Sequence, residues 1–520
     1  MIKLPLRHFA TSPVIKDLFL CLLSGCLLIF SFPNFNLWLF AWFGFVPLFF
    51  AIQNKRKFKA FLLSYFTGLI FWFGTIYWLI HVTFPGLVLL VLYLALYFGI
   101  FGLLISFYPL SAIRYPLIYI PCLWVLLEYL RSYLFTGFGW ALLGYSQFLN
   151  LPVIQIADIT GVWGVSFLVM MVNVVIWQLM NVTSHKSQVA RIKSGYLVIS
   201  FFLLGASLIY GYYRLSLRPA TGDLQPIKVS VIQGNIPQEL KWQTRSREFI
   251  LDRYLTLSRD ASCEEPGLVI WPEAAVPGYL FNPQDKWMFE RIFNFAKDRK
   301  LNFLIGAVAE EGENYFNTAI LVDGQGRIIQ RYNKLHLVPF GEYIPFKKAF
   351  PFLETIVPIG DFTAGREYTV FSLDGTTKFS VLICFEDLFP ELSRRFVKKG
   401  ANFLVNITND AWFGKTPSPF QHLALSVFRA VENRRFLLRA ANTGVSGFIA
   451  PNGAVSSLVA DNRGKAVFIT GYETAFVYPR DNITFYTRFG DIVVLICLIL
   501  AIYGIINKYR KPRINTHGEK

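Results

Sequence analysis

No Cys/His cluster with metal-ligand spacing and no glycine-rich phosphate loop occurs in the 520 residues. A zinc site of the usual spacing and a P-loop design are therefore excluded. Charge is scarce as well: Asp, Glu, Lys and Arg make up 16% of the chain, against 54% hydrophobic and 17% aromatic residues. That balance is too apolar for a set of soluble domains and identifies a membrane protein. A small-residue cleavage pattern is missing after the first apolar run, where Phe32-Pro33 stand and a second run follows almost at once. The first run is thus expected to be retained and not removed as a signal peptide.

Runs long and apolar enough to cross a hydrocarbon layer of about 30 Å lie near 18–32, 37–52, 60–80, 86–107, 115–134, 161–182, 195–212 and 490–507. Seven spans, a long interruption and one closing span are expected. Lys and Arg are absent from the short loops on one side. On the other side stand Lys3, Arg7, Lys16, Lys55, Arg56, Lys57, Lys59, Arg114, Lys186, Arg191, Lys193, Lys508, Arg510, Lys511, Arg513 and Lys520. By the positive-inside rule that side is cytoplasmic, which puts residues of about 213–487 outside. The expected divisions are 1–212, a membrane domain with seven helices; 213–487, an extracytoplasmic domain; and 488–520, an eighth helix with a cytoplasmic tail.

This topology accounts for most of the net charge of +17. The outer domain carries 32 basic and 28 acidic residues, only +4, so the high pI is no sign of a nucleic-acid partner. Of six cysteines, Cys21, Cys26, Cys122 and Cys497 fall inside spans as small apolar residues. Cys263 and Cys384 remain outside, where a disulfide between them is one possibility.

Between the seventh and eighth spans the periodicity shortens. Candidate strands are 227–235, 267–273, 302–310, a hairpin over 318–332 about Asp323-Gly324, 378–386 and 402–410; helical patterns cover 285–300 and 418–441. Strands alternating with helices and hairpins predict an α/β layered domain. In such domains chemistry gathers where strands end. "VIWPEAAVPG" ends a buried strand with Glu273, "RYNKLHLVPFGEYIP" leaves a hairpin with Lys334, His336 and Glu342, and "SVLICFEDLF" ends with Cys384, Phe385 and Glu386.

Singly, each of these is a common feature: a solvated turn, a surface charge, a packed thiol. Together they fit one reaction. A cysteine nucleophile must lose its proton to a base, a carboxylate can take and return that proton, and a cation beside the developing oxyanion stabilises the transition state. Glu, Lys and Cys fill these roles without histidine. His336 sits between Lys334 and Glu342, but a lone histidine there reads as a hydrogen-bonded structural group.

These motifs resemble the Glu-Lys-Cys core of the nitrilase superfamily, and "KLHLVPFGEYIP" resembles its membrane-bound branch, the apolipoprotein N-acyltransferase family. "QGNIPQELKW" (233–242), "TNDAWFG" (408–414) and "NTGVSGFIAPNG" (442–453) are similar too, as is the order of seven spans, outer domain and last span. The resemblance implies eight transmembrane α-helices with an αββα sandwich in the periplasm, multi-pass in a bacterial inner membrane. It implies ping-pong transfer without metal or cofactor. An acyl chain passes from a glycerophospholipid, typically phosphatidylethanolamine, to a thioester on Cys384, and then to the α-amine of the S-diacylglyceryl cysteine of an apolipoprotein. Glu273 is the implied base. Lys334 and the Phe385 N–H are the implied oxyanion donors. Glu342 and Glu386 hold Lys334 and the site's water, and Trp242 binds substrate. The sequence departs from the family at Phe385, where tyrosine is common, so only the aromatic packing carries over.

Two other readings differ in class. A membrane-tethered amidase would hydrolyse a small amide with the same core, but the membrane portion is far larger than an anchor. A transporter would place ionisable groups deep in its spans, whereas the middle spans carry mainly Phe, Leu, Tyr and Gly. Glu128, Arg131 and Asp158, near outer ends of spans, are expected to reach lipid headgroups or to anchor the interface.

Overall fold

The computed structural model describes residues 12–107, 116–184, 194–217, 224–344 and 361–509. The membrane part is built from α1 (Pro13–Phe30), α2 (Val46–Ile52), α3 (Lys57–Ile76), α4 (Phe84–Ser106), α5 (Pro116–Tyr133), α6 (Ala157–Ser184) and α7 (Ser194–Ser216). Five described segments are long and apolar enough to cross a membrane: Pro13–Phe30, Lys57–His81, Phe84–Ser106, Ala157–Asn181 and Leu197–Ser216. Lys55 and Lys59 meet the buried Asp17 at 2.7 and 3.1 Å, tying the ends of α1 and α3 that carry the basic residues. Lys3, Arg7, Arg114, Lys186, Arg191, Lys193 and the tail from Arg510 lie outside the described residues.

The run expected over 37–52 is not one helix. A 3₁₀ turn, Trp38–Trp42, is separated from α2 by Phe43, whose φ and ψ of −137° and 4° leave the helical region. The break frees backbone groups that cannot stay unpaired in an apolar layer. Asn173 of α6 meets them: its Oδ1 accepts from Phe45 N at 2.8 Å and its Nδ2 donates to Ala41 O at 2.8 Å. The headgroup expectation for Glu128, Arg131 and Asp158 is corrected also, for all three are buried. Glu128 accepts from Leu143 N at 2.6 Å, Arg131 donates to the carbonyls of Phe138 and Trp140, and Asp158 binds Arg434 at 2.7 Å. Each is turned towards protein groups and away from lipid.

The residues between Ile227 and Val477 form two facing sheets. The first has β1 (Ile227–Gln233), β2 (Leu268–Ile270), β3 (Tyr279–Leu280), β4 (Phe303–Glu311), β5 (Asn314–Val322), β6 (Ile328–Asn333) and the late β13 (Gly471–Val477), in the order β13-β1-β2-β4-β5-β6 with β3 beside β4. The second has β7 (Phe371–Ser372), β8 (Lys378–Ile383), β9 (Phe403–Thr408), β10 (Leu437–Ala441), β11 (Gly447–Ile449) and β12 (Val455–Leu458), in the order β12-β11-β10-β9-β8-β7. Strand alternation sorts the side chains by layer. Val229, Val231, Leu268, Ile270 and Leu304 join the core shared with the second sheet. Ile232, Val269, Trp271, Phe303 and Ile305 point the other way, onto α8 (Arg247–Ser262) and α9 (Lys286–Arg299). With α10 (Pro390–Lys398) and α11 (Ser418–Asn433) on the second sheet, the layers are αββα.

The helix expected over 418–441 ends at Asn433. Arg434 adopts φ +51°, which stops the helix, and Leu437–Ala441 becomes β10, parallel to β9. All of α11 but Phe420 is buried, because it lies between the second sheet and the membrane helices. Gly161 in α6 has φ +63°, and a Cβ there would meet the Tyr486 ring at 2.6 Å. The kink frees the N–H of Val162, which Glu432 of α11 accepts at 3.0 Å. The closing helix α12 spans Ile492–Tyr509.

Candidate active site

Glu273 follows β2 through Trp271 and Pro272. Trp271 is fully buried, stacked on Tyr254 with its indole N–H bonded to Ser258 Oγ at 2.9 Å, and this fixes the strand's exit. Ala274 then takes φ +44°, and β4 comes so close at Gly306 that a Cβ there would lie 2.7 Å from Glu273 Cα. Lys334 leaves the end of β6 and is 1% exposed. Its Nζ lies 2.8 Å from Glu342 Oε2 and 3.9 Å from Glu273 Oε1. The Nδ2 of Asn317, on β5, donates to both carboxylates, at 2.7 Å to Glu273 and 2.8 Å to Glu342. Two carboxylates, one ammonium and one amide thus form a closed buried set.

Cys384 ends β8 with φ +55°, a left-handed conformation uncommon for a residue with a Cβ. Asn406 of the neighbouring strand clamps the turn, donating to the carbonyls of Cys384 at 2.9 Å and Leu382 at 3.1 Å. Such strain is kept only where surrounding contacts impose it, and it gathers at functional sites. Cys384 and Cys263 are both free, so the disulfide possibility is removed.

The electrostatics assign protons. Burial raises the Cys384 thiol well above the ordinary range and Glu273 adds to the rise, while Lys334 opposes it. The resting group is a thiol that needs a base. Burial alone would lower the Lys334 ammonium, but Glu342, Cys384 and Glu273 outweigh it and hold the group above its usual value. It stays a cation.

Glu386 works differently from expectation. Its oxygens accept from Tyr332 OH at 2.8 Å and from the N–H groups of Ile383 at 2.7 Å, Leu335 at 2.7 Å and His336 at 3.1 Å. It therefore clamps the backbone beside Lys334 to the strand that carries Cys384 and does not bond the ammonium. Burial lifts its carboxyl to about 7, opposed by those donors and by Lys334. The ring of Phe385 packs among Trp140, Phe413 and His422 at centroid distances of 5.2, 5.6 and 5.3 Å. His336 donates from Nε2 to Thr136 O at 3.0 Å, and burial lowers it to about 4, so it is a neutral tether to the membrane part. Trp242 is 42% exposed and stacks on Tyr279, at the rim.

Three features escaped the sequence reading. Lys241, beside Trp242, is buried; among the described residues its ammonium makes one hydrogen bond, to the backbone carbonyl of Glu273 at 3.1 Å. Burial lowers it to about 8, with Glu273 and Cys384 pulling upward. Asn317 could have been noticed as an amide that begins the buried stretch of "NYFNTAILV". Behind the nucleophile turn, His422 lies between two carboxylates, Nε2 2.9 Å from Asp387 and Nδ1 3.1 Å from Asp410. Burial alone would lower the imidazole, but Asp387 and Asp410 outweigh it and raise it above its ordinary value. Asp387 and Asp410 stood within quoted motifs, but nothing local revealed their shared partner.

Family comparison divides the chain in the same way. Residues 24–175 match the model of the apolipoprotein N-acyltransferase N-terminal domain, and residues 228–474 match that of carbon-nitrogen hydrolase. An apolipoprotein N-acyltransferase of Geobacter metallireducens is 40% identical over 519 residues, covering 96% of each chain. One from Chlorobaculum tepidum is 31% identical, covering 95% of this chain and 97% of its own. Among solved structures, an amidase from Nesterenkonia sp. aligns with 52% of this chain and 95% of its own at 21% identity and a TM-score of 0.39, too distant to add to the argument.

Proposed function

The chain belongs to the apolipoprotein N-acyltransferase family, and from that premise we propose that Glu273, Lys334 and Cys384 carry the N-acyl transfer. The enzyme is a membrane N-acyltransferase with lipid and lipoprotein substrates. In the first half-reaction Glu273 takes the proton from Cys384 Sγ as the sulfur attacks an ester carbonyl of a phospholipid. The oxyanion forms beside the Lys334 ammonium and the Phe385 N–H. Collapse breaks the ester C–O bond, and the departing glyceryl oxygen takes the proton back from Glu273. In the second half the free α-amine of the diacylglyceryl cysteine attacks the thioester, Glu273 takes an N–H proton, and the C–S bond breaks as Glu273 passes that proton to the departing sulfur, restoring the Cys384 thiol. Glu342 and Asn317 hold Lys334 and Glu273 in register, Glu386 fixes the two strand ends, and Trp242 lines the entrance.

The observation that carries this reading is the buried ammonium between two carboxylates at the end of β6, together with the strained, protonated cysteine that follows β8. Phe385 supports lipid substrates in particular, since the residue after the nucleophile packs on Trp140 of the membrane part. A hydrolase of small soluble amides has no use for that contact.

The finer features follow as proposals. Eight spans are α1, the broken 37–52 stretch, α3 to α7 and α12; residues 213–487 face the periplasm of a bacterial inner membrane, flanked by the membrane portions 1–212 and 488–520; and the donor is phosphatidylethanolamine. Intact-protein mass spectrometry tests the reaction. Incubation with phosphatidylethanolamine should add one acyl mass, removable by hydroxylamine, and a synthetic S-diacylglyceryl dipeptide should then take that acyl group as an amide. No adduct, or an adduct lost to water with no amide formed, overturns the reading.

A further inference from the structure

Far from Cys384, four guanidinium groups gather where the catalytic domain joins its two flanking helices. Arg434, at the end of α11, and Arg214, in the last turn of α7, share Asp158 Oδ2 at 2.7 and 3.4 Å. Asp158 also accepts from Tyr210 OH at 2.9 Å. Arg434 is otherwise saturated by Gln155, at 2.6 and 3.0 Å, and by Pro451 O at 3.2 Å. Arg435 is buried on Ala401 O at 3.0 Å and faces Asp481.

Arg480 is the exception. Its backbone is pinned on both sides by Asn402, at 3.1 and 3.3 Å. Its side chain makes no hydrogen bond or ion pair among the described residues, and its Nε is sealed from water without a partner. Arg434 and Arg214 lie close enough to repel it. Among the described residues, four cations against Asp158 and Asp481 leave an excess of two positive charges, and a buried N–H aimed at nothing is costly unless a ligand meets it.

The surroundings indicate the ligand. Arg214 is two residues from the end of α7, and Arg480 stands twelve residues before α12 begins. Tyr212, Tyr213, Ile483, Phe485 and Phe489 are exposed beside them, the aromatic and aliphatic belt found at the level of lipid headgroups. Asn402 and Ala401 precede β9, whereas Cys384 is clamped by Asn406 further along it. The cluster therefore lies towards the other end of a six-residue strand that spans roughly 20 Å.

We propose that Arg214 and Arg480, backed by Arg434, form a binding site for the phosphodiester of an anionic phospholipid, separate from the acyl donor's site. Planar guanidinium groups bond two phosphate oxygens at once, and the surplus charge favours a net-negative headgroup over a zwitterionic one. The lipid would hold the catalytic domain to the headgroup layer at the end of α11 remote from the nucleophile. The inference rests on the membrane orientation proposed above, not on the chemistry at Cys384.

Native mass spectrometry of the full-length Cys384→Ser protein, which cannot turn over a donor, tests it with phosphatidylglycerol and phosphatidylethanolamine in equal amounts. Phosphatidylglycerol should be retained about tenfold more strongly. Arg480→Gln should lose that preference, and Arg480→Lys, which keeps the charge, should retain part of it while showing that the site folds. Millimolar inorganic phosphate should not displace the lipid. Equal retention of the two lipids, an unchanged preference in Arg480→Gln, or displacement by inorganic phosphate would each overturn the proposal. Thioester formation by the wild-type protein in the same micelles tests the catalytic reading independently.

Discussion

Lys334 and Lys241 are two buried ammonium groups at one site with opposite surroundings, and the contrast predicts opposite behaviour. Lys334 touches Glu342 and approaches Glu273. Lys334→Arg keeps the charge but offers a planar fork where a compact donor is needed, so thioester formation should fall on the order of a hundredfold. Lys241 has only a carbonyl partner. Its folded-state value of about 8 lies below its ordinary 10.5, so between those values the unfolded chain binds more protons and stability rises with pH. The penalty is fully present below pH 8, at roughly 3 kcal/mol. Lys241→Met should therefore raise the melting temperature at pH 7 and flatten its rise towards pH 10, while slowing thioester formation by removing a cation near the thiolate; a lower melting temperature at pH 7 would refute the account. The cysteines separate just as cleanly. Cys384→Ser should insert normally and form no thioester, because a serine hydroxyl is far harder to ionise under the same base. Cys263→Ser should keep full acylation, read by acyl-enzyme detection at matched membrane levels.

Among the elements, α11 joins the two halves of the enzyme. Gln421, near its start, accepts from the indoles of Trp78 at 3.0 Å and Trp140 at 2.7 Å, and donates to the carbonyls of Pro33 and Thr75, both at 3.0 Å. One amide thus satisfies four buried groups from three membrane-domain segments, next to His422 behind the nucleophile turn. Gln421→Leu keeps the volume and leaves all four without a partner, a loss of roughly 2–5 kcal/mol. The melting temperature should drop. Because Trp140 packs on Phe385, thioester formation should also slow at temperatures where the variant remains folded. An intact rate in a destabilised variant would show that α11 only holds the halves together and does not position the nucleophile.

For the whole molecule, the testable property is sidedness. Asp374 lies in an exposed turn between β7 and β8, so a reporter fused there should report from outside the cytoplasm; a cytoplasmic signal would sink both the topology and the periplasmic chemistry. What the sequence determined by itself was whatever is encoded locally: the apolar runs, the strand ends, and Glu273, Lys334 and Cys384 just past the strands β2, β6 and β8. Hydrophobic period and turn chemistry act over a few residues, so they can be read in order along the chain. Tertiary structure alone decided the pairings. Gln421 meets Trp78 across 343 residues and Arg434 meets Gln155 across 279. Asn173 repairs a helix break that the unbroken apolar run 37–52 concealed, and Glu128, Arg131 and Asp158 turn inward where spacing alone suggested lipid. A buried polar group must find a partner, but which partner depends on the path of the whole chain, and no short window contains it.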